Sequence, residues 1–478
     1  MQCLKRRAPQ LSGYLRKFRD DEGGNIAIIL GLTIVILMIS IGAAVDIARW
    51  LNARNQTVAA IDAAVLAGGR TLQMTNGDKD AAQAAAESYY AENVKSRLPV
   101  IKGSDTVKFT VSDSPMGVVA SGNAYIDTPF LAFASVDKLP LVNIAQSKAQ
   151  LGMKSGQTEI SMMLDVTGSM AGQKLQDLKD SAQKLVDIVT TANNGQTDKT
   201  RIAIVPFSED IRLPTTAALN AARGTGLPAC KRVSSSGAVT NTCTTAKNTT
   251  MYYLSDCVVE RTGNDKYTDA APGANKYVMA HYTTSSTGSG SNKKGVCTVP
   301  AGAAVQPLTS DTAVLSSKIS GLSASGGTAG QLGTAWAWYT LSPNWNSLWS
   351  AENQALPYAT AGDKDPIKKV AILMTDGDYN AQYSSHGILA NYGYTSSCPQ
   401  AANGCAAAQA LALCSAMKEE GIEVWTVGFA VGQYSLAAQT LKTCASDETK
   451  YYNAEDGDEL QNAFTDIAVK LTTVYLSK

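Results

Sequence analysis

The stretch EISMMLDVTGSMAG, residues 159–172, predicts a buried β-strand that ends in a polar loop. Its apolar run finishes at Asp165, and two hydroxyl side chains, Thr167 and Ser169, follow at alternate positions. The next segment, residues 171–189, carries apolar side chains at helical spacing. The apolar face of this predicted helix consists of Leu175, Leu178, Ala182, Leu185 and Ile188. The stretch therefore predicts a strand, a loop with three oxygen-bearing side chains, and an amphipathic helix.

The same alternation continues toward the C-terminus. Further strands are predicted at TRIAIVPFS, KKVAILMTDGDYN, IEVWTVGFA and KYYNAED, and further helices at AAAQALALCSAMKEEG and DELQNAFTDIAVKL. Strands that alternate with helices predict an α/β fold with a parallel, doubly wound sheet. Such sheets bind ligands at the carboxyl ends of their strands, where the strand order reverses. Asp165 ends one predicted strand and Asp376, in MTDGD, ends another.

Residues 26–45 predict a single transmembrane helix. These twenty residues carry no charge, and at 1.5 Å per residue they cross a hydrocarbon core of roughly 30 Å. Basic residues precede them, namely Lys5, Arg6, Arg7, Arg16, Lys17 and Arg19, whereas only Arg49 and Arg54 follow closely. The positive-inside rule then predicts a cytoplasmic N-terminus with the bulk of the chain on the other side. A cleaved signal peptide is the alternative, but its apolar core normally spans about 7 to 15 residues, and no clear A-x-A site follows.

The composition argues against several functions. The formal net charge is +0 and charged residues make up 17% of the 478 residues. No overall field would therefore attract nucleic acid, and we predict no nucleic-acid partner. Only two histidines are present, His281 and His386, in unrelated contexts. Histidine-rich metal sites and histidine-based catalytic triads therefore have little support.

The cysteines predict disulfide bonds. Cys3 precedes the apolar span, and an even number follows it: Cys230, Cys243, Cys257, Cys297, Cys398, Cys405, Cys414 and Cys444. An even count in an oxidising compartment is typical of disulfides. Cys398 and Cys405 flank a short loop and could form a local bridge, whereas Cys414 and Cys444 lie in neighbouring predicted helices. Zinc binding is the alternative, but the spacings lack paired C-x-x-C units.

The segments around the span resemble a known family. DEGGNIA precedes the span, and AAVDIARWLNARNQTVAAIDAAVLAG follows it as a helical stem. Both resemble the N-terminal segment of TadE/TadG-like proteins of tight-adherence (Flp) pilus assembly, over roughly residues 18–72. The chain lacks a prepilin cleavage pattern of glycine, an aromatic residue and a fifth-position glutamate. The resemblance implies a bacterial inner-membrane protein whose bulk is periplasmic or extracellular.

Three loops resemble the metal-ion-dependent adhesion site (MIDAS) of von Willebrand factor A domains. They are D-x-T-x-S at residues 165–169, GGT at 326–328 and TDG at 375–377. The resemblance implies metal ligands at Asp165, Thr167, Ser169, Thr328 and Asp376. Taken singly, the motifs have plainer interpretations, since a strand-end aspartate can cap a helix and TDG can form a turn. Asp378 could support the site or be a solvated loop acid.

The predicted ligand set has a chemistry of its own. All five side chains offer hard oxygen atoms, which suit Mg²⁺ or Mn²⁺, with Ca²⁺ as a third candidate. Neutral hydroxyls bind a cation without cancelling its charge, so the ion stays electrophilic and can accept a carboxylate from a partner protein. Because no general base or nucleophile stands near, this chemistry favours binding over catalysis.

The C-terminal half resembles the TadG branch of these pilus-assembly proteins, on the segments GGTAGQLGTAWAWYTLSPNW, KKVAILMTDGDYN, LCSAMKEEGIEVWTVGF and LKTCASDETKYYNAEDGDELQNAFTDIA. The resemblance implies an Flp pilus assembly or adhesion factor that binds other pilus-assembly or cell-envelope proteins through an acidic residue of the partner. A structural pilus subunit with a passive A domain is the alternative. A metal-dependent hydrolase is less favoured, because no P-loop or G-x-S-x-G motif is present. Trp336 and Trp338 are interpreted as packing residues.

The predicted organisation is a cytoplasmic basic tail (1–25), a transmembrane helix (26–45), a pilin-like helical stem (46–72), a small β-rich module (73–150) and a von Willebrand factor A-like domain (156–478) with an insertion at 208–320. The insertion contains four cysteines and the run TTSSTGSGSNKK. Loops of this length are commonly either functional or disordered. The insertion could shape a partner surface or be a decoration of the fold.

Overall fold

The computed structural model describes residues 25–75, 77–113, 116–151, 157–191, 199–360, 363, 366–392, 398–472 and 474–477. The predicted basic tail and Cys3 lie outside the described residues.

The chain begins with one long helix, α1 (Asn25–Met74). Its N-terminal part is long and apolar enough to cross a membrane, and its side chains from Ile26 to Ile41 are exposed. Its C-terminal part buries apolar side chains such as Val65 and Leu72 against a small sheet. The apolar span and the stem are therefore one continuous helix, with one half exposed and the other half packed.

The small sheet belongs to an N-terminal module. The module contains α2 (Lys79–Asn93), β1 (Lys108–Asp113), β2 (Met116–Asp127), β3 (Lys138–Leu151) and β19 (Val474–Ser477). Its four strands are antiparallel, in the order β1-β2-β3-β19. The structure thus differs from the predicted β-rich module in two respects, because a helix precedes the strands and the last strand comes from the C-terminus. The amide of Gln73 also donates to Thr472 Oγ1 (3.1 Å), which joins the end of α1 to the C-terminal region.

The larger part of the chain forms a doubly wound sheet domain, residues 157–472. Its six strands are β4 (Thr158–Asp165), β5 (Thr200–Phe207), β13 (Gln306–Thr309), β14 (Lys368–Thr375), β17 (Glu423–Phe429) and β18 (Tyr451–Ala454). They lie in the order β13-β5-β4-β14-β17-β18, and all neighbours are parallel except β13 and β5. After β4 the chain adds β5 and then β13 on one side of the sheet. After β14 it adds β17 and then β18 on the other side. The strand order therefore reverses between β4 and β14, as in doubly wound folds. The predicted α/β fold class is confirmed.

A short antiparallel pair, β15 (Ala381–Tyr383) and β16 (Leu389–Tyr392), follows β14. Helices cover both faces of the six-stranded sheet. They are α3 (Gln173–Thr191), α5 (Thr312–Ser320), α6 (Gly330–Leu341), α7 (Ala406–Glu419), α8 (Leu436–Cys444) and α9 (Gly457–Leu471). Every residue of β4 is buried, and alternate side chains point to opposite faces. Met162 packs in the core with α3, α5 and α9, whereas Met163 packs in the core with α6 and α7. Trp336 and Trp338 are buried in the same core as Met163, as expected for packing residues.

The region predicted as an insertion is folded. It contains β6 (Ile211–Arg212), α4 (Thr216–Arg223), β7 (Cys230–Ser234), β8 (Val239–Thr240), β9 (Thr249–Arg261), β10 (Val278–Thr283), β11 (Ser286–Thr287) and β12 (Lys294–Gly295). Five of these strands form an antiparallel sheet centred on β9. The predicted boundary of 208–320 differs from the structure, because it encloses β13 and α5, which belong to the sheet domain. The four-residue strand QPLT carries too short an apolar pattern to mark that boundary.

All eight cysteines beyond the span are paired. The bridges are Cys230–Cys243, Cys257–Cys297, Cys398–Cys405 and Cys414–Cys444. The predicted disulfides are confirmed, including the local bridge in the short loop and the bridge between neighbouring helices α7 and α8. The zinc alternative is wrong for these cysteines, since each sulfur is bonded to another sulfur.

Candidate metal-binding site

The site is built around Asp165, the last residue of β4. Its side chain is fully buried, and both carboxylate oxygens accept hydrogen bonds. The backbone N–H of Thr167 donates to Oδ1 (2.8 Å), and the hydroxyl of Thr375 donates to Oδ2 (2.6 Å). Thr375 ends β14, the neighbouring strand. Asp165 therefore connects the two strands at the point where the strand order reverses.

The two predicted hydroxyl ligands lie beside the second predicted carboxylate. Thr167 Oγ1 and Ser169 Oγ are 3.0 Å apart, and Ser169 Oγ donates to Asp376 Oδ1 (2.6 Å). The backbone N–H of Asp376 also points to Asp165 Oδ2, at 3.4 Å. The structure thus brings four of the five predicted residues into one hydrogen-bonded cluster.

Thr328, the fifth predicted residue, lies in the adjoining GGT loop. This loop contacts the first loop through backbone hydrogen bonds, from Gly168 N to Gly326 O and from Ser325 N to Val166 O (both 2.8 Å). Thr328 is buried, and its backbone N–H donates to Asn380 Oδ1 (2.9 Å). The hydrogen bonds of its backbone therefore join it to Asn380 and Ala381, after β14, and not directly to the four-residue cluster.

The first glycine of the GGT loop is required by its surroundings. Gly326 has a φ of +78°, and a Cβ there would lie 2.1 Å from Thr298 Cγ2 and 2.6 Å from Ser208 Oγ. A larger residue would therefore clash while also occupying an unfavourable backbone region. Glycine allows the loop to approach the D-x-T-x-S loop closely.

Glu209 is a residue of this region that the sequence analysis missed. Its Oε1 accepts the backbone N–H of Gly327 (3.0 Å), and its Oε2 accepts the hydroxyl of Thr298 (3.2 Å). Its carboxylate therefore holds the GGT loop against the loop after β5. Glu209 follows the end of β5 by two residues. Since β5 is parallel to β4, this position alone could have predicted an acid at the same sheet edge as Asp165.

Lys174 is a second missed residue, in the first turn of α3. Its ammonium lies 2.9 Å from Asp376 Oδ2, the oxygen opposite the one that Ser169 contacts. The lysine side chain is about one-third exposed, whereas the carboxylate is buried. Lys174 therefore supplies a positive charge to the cluster from the protein itself.

The surroundings of Asp165 change the pKa of its carboxyl group. Burial raises the pKa of Asp165 to about 6, and the nearby charge of Asp376 contributes in the same direction. Hydrogen bonds from Thr167 and Thr375 act in the opposite direction. The cluster therefore concentrates negative charge in a buried place, which is the condition that a bound cation relieves.

Asp378 differs from its predicted role as a solvated loop acid. Its side chain is half-buried, and Oδ1 accepts the backbone N–H of Ala437 at the start of α8. Asp378 therefore accepts one of the N–H groups in the first turn of α8, whose N-cap residue is Ser435.

Asp210 and His281 form a buried pair that the sequence analysis did not expect. His281 Nδ1 lies 2.8 Å from Asp210 Oδ2, and the carboxylate also accepts the backbone N–H groups of Thr298 (2.8 Å) and Val299 (2.9 Å). Such a pair orients the imidazole in hydrolases, whereas His281 is buried here and only 3% exposed. The sulfurs of Cys257 and Cys297 lie near Asp210 but are bonded to each other. Asp210 therefore connects the inserted sheet to the sheet domain.

Comparison with protein families matches one segment of the chain. Residues 24–71 match a family model described as Flp pilus-assembly TadE/G-like. The chain thus carries a TadE/G-like segment at its N-terminus, which coincides with nearly all of α1. No curated protein matches the chain at a significant level.

Several solved structures are similar in part. The von Willebrand factor domain of the type V pilus tip protein Mfa5 from Porphyromonas gingivalis is 14% identical, over 66% of this chain and 96% of that one, with a TM-score of 0.36. The pilus adhesin SpaC from Lactobacillus rhamnosus GG is 12% identical, over 79% of this chain and 37% of that one, with a TM-score of 0.35. Proximal thread matrix protein 1 from the mussel byssus, with a zinc-occupied MIDAS motif, is 14% identical, over 68% and 48%, with a TM-score of 0.31. Similarities at this level assign neither a ligand nor a function to this chain.

Proposed function

We propose that this protein is a membrane-anchored pilus assembly or adhesion factor that binds a partner protein through a divalent cation. The observation that carries the proposal is the hydrogen-bonded cluster of Asp165, Thr167, Ser169 and Asp376 at the strand-order reversal. The cluster combines two carboxylates with two neutral hydroxyls, all at one edge of a doubly wound sheet, where such folds bind ligands.

The donor set fits a hard cation. Every side chain in the cluster offers oxygen, the ligand atom that Mg²⁺, Mn²⁺ and Ca²⁺ prefer. Asp165, Thr167, Ser169 and Asp376 would hold the ion, and Thr328 would contribute from the adjoining loop. The bound ion would supply an electrophilic centre for a carboxylate of the partner. The burial of both aspartates favours an ion, because two carboxylates in one buried place repel each other and the single ammonium of Lys174 offsets only one of the two charges.

The pilus context comes from the other end of the chain. The TadE/G-like match covers residues 24–71, and α1 is apolar enough to span a membrane within that segment. The apolar half of α1 would anchor the chain in a bacterial inner membrane. The basic residues before it favour a cytoplasmic N-terminus, with the sheet domain in the periplasm or beyond. Partners would then be other pilus-assembly or cell-envelope proteins.

Calorimetric titration of Mg²⁺ and Mn²⁺ into the purified full-length chain in detergent tests the metal site. We expect saturable binding by the wild type and at least a hundredfold weaker binding by Asp165→Ala, because that variant removes one of two carboxylates. Ser169→Ala, which leaves the buried Asp165 contacts in place, should also weaken binding. Asp378→Ala is the matched control, since it removes a nearby acid whose carboxylate contacts the backbone at the start of α8.

Equal affinity in the wild type and Asp165→Ala would refute the metal site. The partner role needs a separate readout, namely pilus formation in cells that carry each variant. If Asp165→Ala abolishes metal binding but leaves pilus formation unchanged, the sheet domain is a passive part of a structural subunit.

Substitution of Lys174 should strengthen metal binding, whereas the substitutions above should weaken it. Its ammonium occupies one oxygen of Asp376, so an incoming cation must compete with it. Lys174→Met should therefore raise the affinity for Mg²⁺ at least tenfold, which corresponds to about 1.4 kcal/mol. The same titration measures this change. Lys179→Met is the control on the same helix, because the ammonium of Lys179 donates to the backbone carbonyl of Ser320 (2.9 Å). Unchanged or weaker binding by Lys174→Met would show that this lysine does not compete with the ion.

A further inference from the structure

A hydrophobic tip projects between β2 and β3. We define it as residues 128–136, with the sequence TPFLAFASV, which carries no charge. Phe133 at its centre is 82% exposed, Phe130 is 44% exposed and Val136 is 38% exposed. Full burial of one such side chain contributes about 1.5–3 kcal/mol. Two exposed phenylalanines on one short segment therefore require an explanation.

The tip is fixed to α1 by a buried carboxylate. Asp46 is only 1% exposed, and its Oδ2 accepts the backbone N–H groups of Phe130 (2.8 Å) and Leu131 (2.9 Å). The start of β3, directly after the tip, is fixed as well, because Trp50 Nε1 donates to the carbonyl of Pro140 (2.8 Å). These contacts, one helical turn apart on α1, hold the tip in one position beside the helix.

The position of the tip along α1 shows how the tip lies relative to the apolar span. The Phe130 ring lies against Gly42, where a Cβ would approach the ring to within 2.5 Å. Gly42 lies three residues before the end of the uncharged stretch 26–45, a rise of about 4–5 Å. The ring therefore lies level with the last turn of the apolar span. The neighbouring α1 side chains Ile41 (64% exposed) and Val45 (45% exposed) extend the same apolar surface.

We propose that the hydrophobic tip inserts into the lipid bilayer beside α1, as a second membrane contact of this protein. The occupant of this surface is lipid, because the tip continues the apolar surface of the span at the depth where the span leaves the hydrocarbon core. The inference rests on the proposed anchoring by α1. Two contacts with the bilayer, from α1 and from the tip, fix the orientation of the N-terminal module relative to the membrane.

Site-specific fluorescence on the full-length chain in phosphatidylcholine–phosphatidylglycerol vesicles tests this contact. In a Cys3→Ser background, Phe133→Cys is labelled with a polarity-sensitive nitrobenzoxadiazole dye. Ile36→Cys, within the span, and Tyr434→Cys, 85% exposed on the sheet domain, are the two references. We expect blue-shifted emission and quenching by shallow spin-labelled lipids at position 133, deeper quenching at 36, and neither effect at 434.

The references separate the possible failures. A lipid-exposed label at 36 with a water-exposed label at 133 would refute the tip contact while leaving the anchoring intact. A water-exposed label at 36 would refute the anchoring as well. A label at 133 that is shielded from aqueous iodide but unreachable by lipid quenchers would identify a protein neighbour and overturn the proposal.

A variant of Asp46 tests the mechanism that holds the tip. Asp46→Ala removes the acceptor of both tip N–H groups, so the label at 133 should lose most of its lipid quenching while the label at 36 keeps it. Asp46→Asn retains an acceptor oxygen and should restore the quenching. Equal quenching at 133 in Asp46→Ala and in the parent would show that the carboxylate does not position the tip.

Discussion

Glu159→Ala is expected to lower the free energy of unfolding of the sheet domain by about 3–5 kcal/mol. Glu159 is fully buried and forms ion pairs with both Arg201 and Lys369, whose side chains are also almost fully buried. It also accepts the backbone N–H of Leu356 (2.9 Å). Its removal would leave two cations in the protein interior without their anion. The midpoint of denaturant unfolding, followed by the fluorescence of the buried tryptophans, measures the change.

The matched control is Glu448→Ala. Glu448 pairs with Lys442 at 3.5 Å, and both side chains are more than half exposed. Exposed pairs of this kind contribute up to about 1 kcal/mol, so this variant should unfold close to the wild type. If Glu159→Ala and Glu448→Ala shift the midpoint equally, the buried pairs do not stabilise the domain as the structure indicates.

Removal of the Cys414–Cys444 bridge should cause the second large loss. The bridge closes a loop of 30 residues between α7 and α8, and both cysteines are buried. The loop-entropy relation gives about 3.6 kcal/mol for a loop of this length. The double variant Cys414→Ala/Cys444→Ala should therefore shift the unfolding midpoint strongly.

The control is the double variant Cys398→Ala/Cys405→Ala. That bridge closes a loop of only seven residues, for which the same relation gives about 2.4 kcal/mol. A larger loss from the short loop than from the long one would contradict the ranking. Complete reduction of the wild type opens all four bridges, so its loss should be at least the sum of these two.

The features that the sequence could predict are local ones. An apolar run followed directly by Asp165 marks a buried strand and its end, and the same holds for the strand before Asp376. Since parallel strands end at one edge of a sheet, the strand pattern is enough to predict that these two acids lie near each other. The bridge between Cys398 and Cys405 is also local, because the two cysteines are only seven positions apart in the sequence.

The features that the sequence could not predict depend on distant contacts. Lys174 looks like one of several lysines on an amphipathic helix, and only the docking of α3 brings it to Asp376. Glu209 contacts Gly327 because a long inserted region returns the chain to the same edge. His281 and Asp210 are separated by most of that region. Neither the hydropathy pattern nor the spacing of residues in the sequence predicts which distant polar groups come into contact.

The pairing of β3 with β19 has a mechanical consequence. The candidate metal site lies at the carboxyl edge of the central sheet, whereas both chain connections to the N-terminal module, from β3 into β4 and from α9 into β19, leave near the opposite edge. A pulling force on a bound partner would cross the whole sheet domain and enter the N-terminal module through these two connections. The connection into β3 is covalent up to α1, whereas β19 passes its share to β3 through hydrogen bonds. Because β3 and β19 are joined to the sheet domain at the same end, they would be pulled together along their length. The hydrogen bonds between β2 and β3 lie across that direction, so they would be loaded in shear, all at once, and would not open one after another.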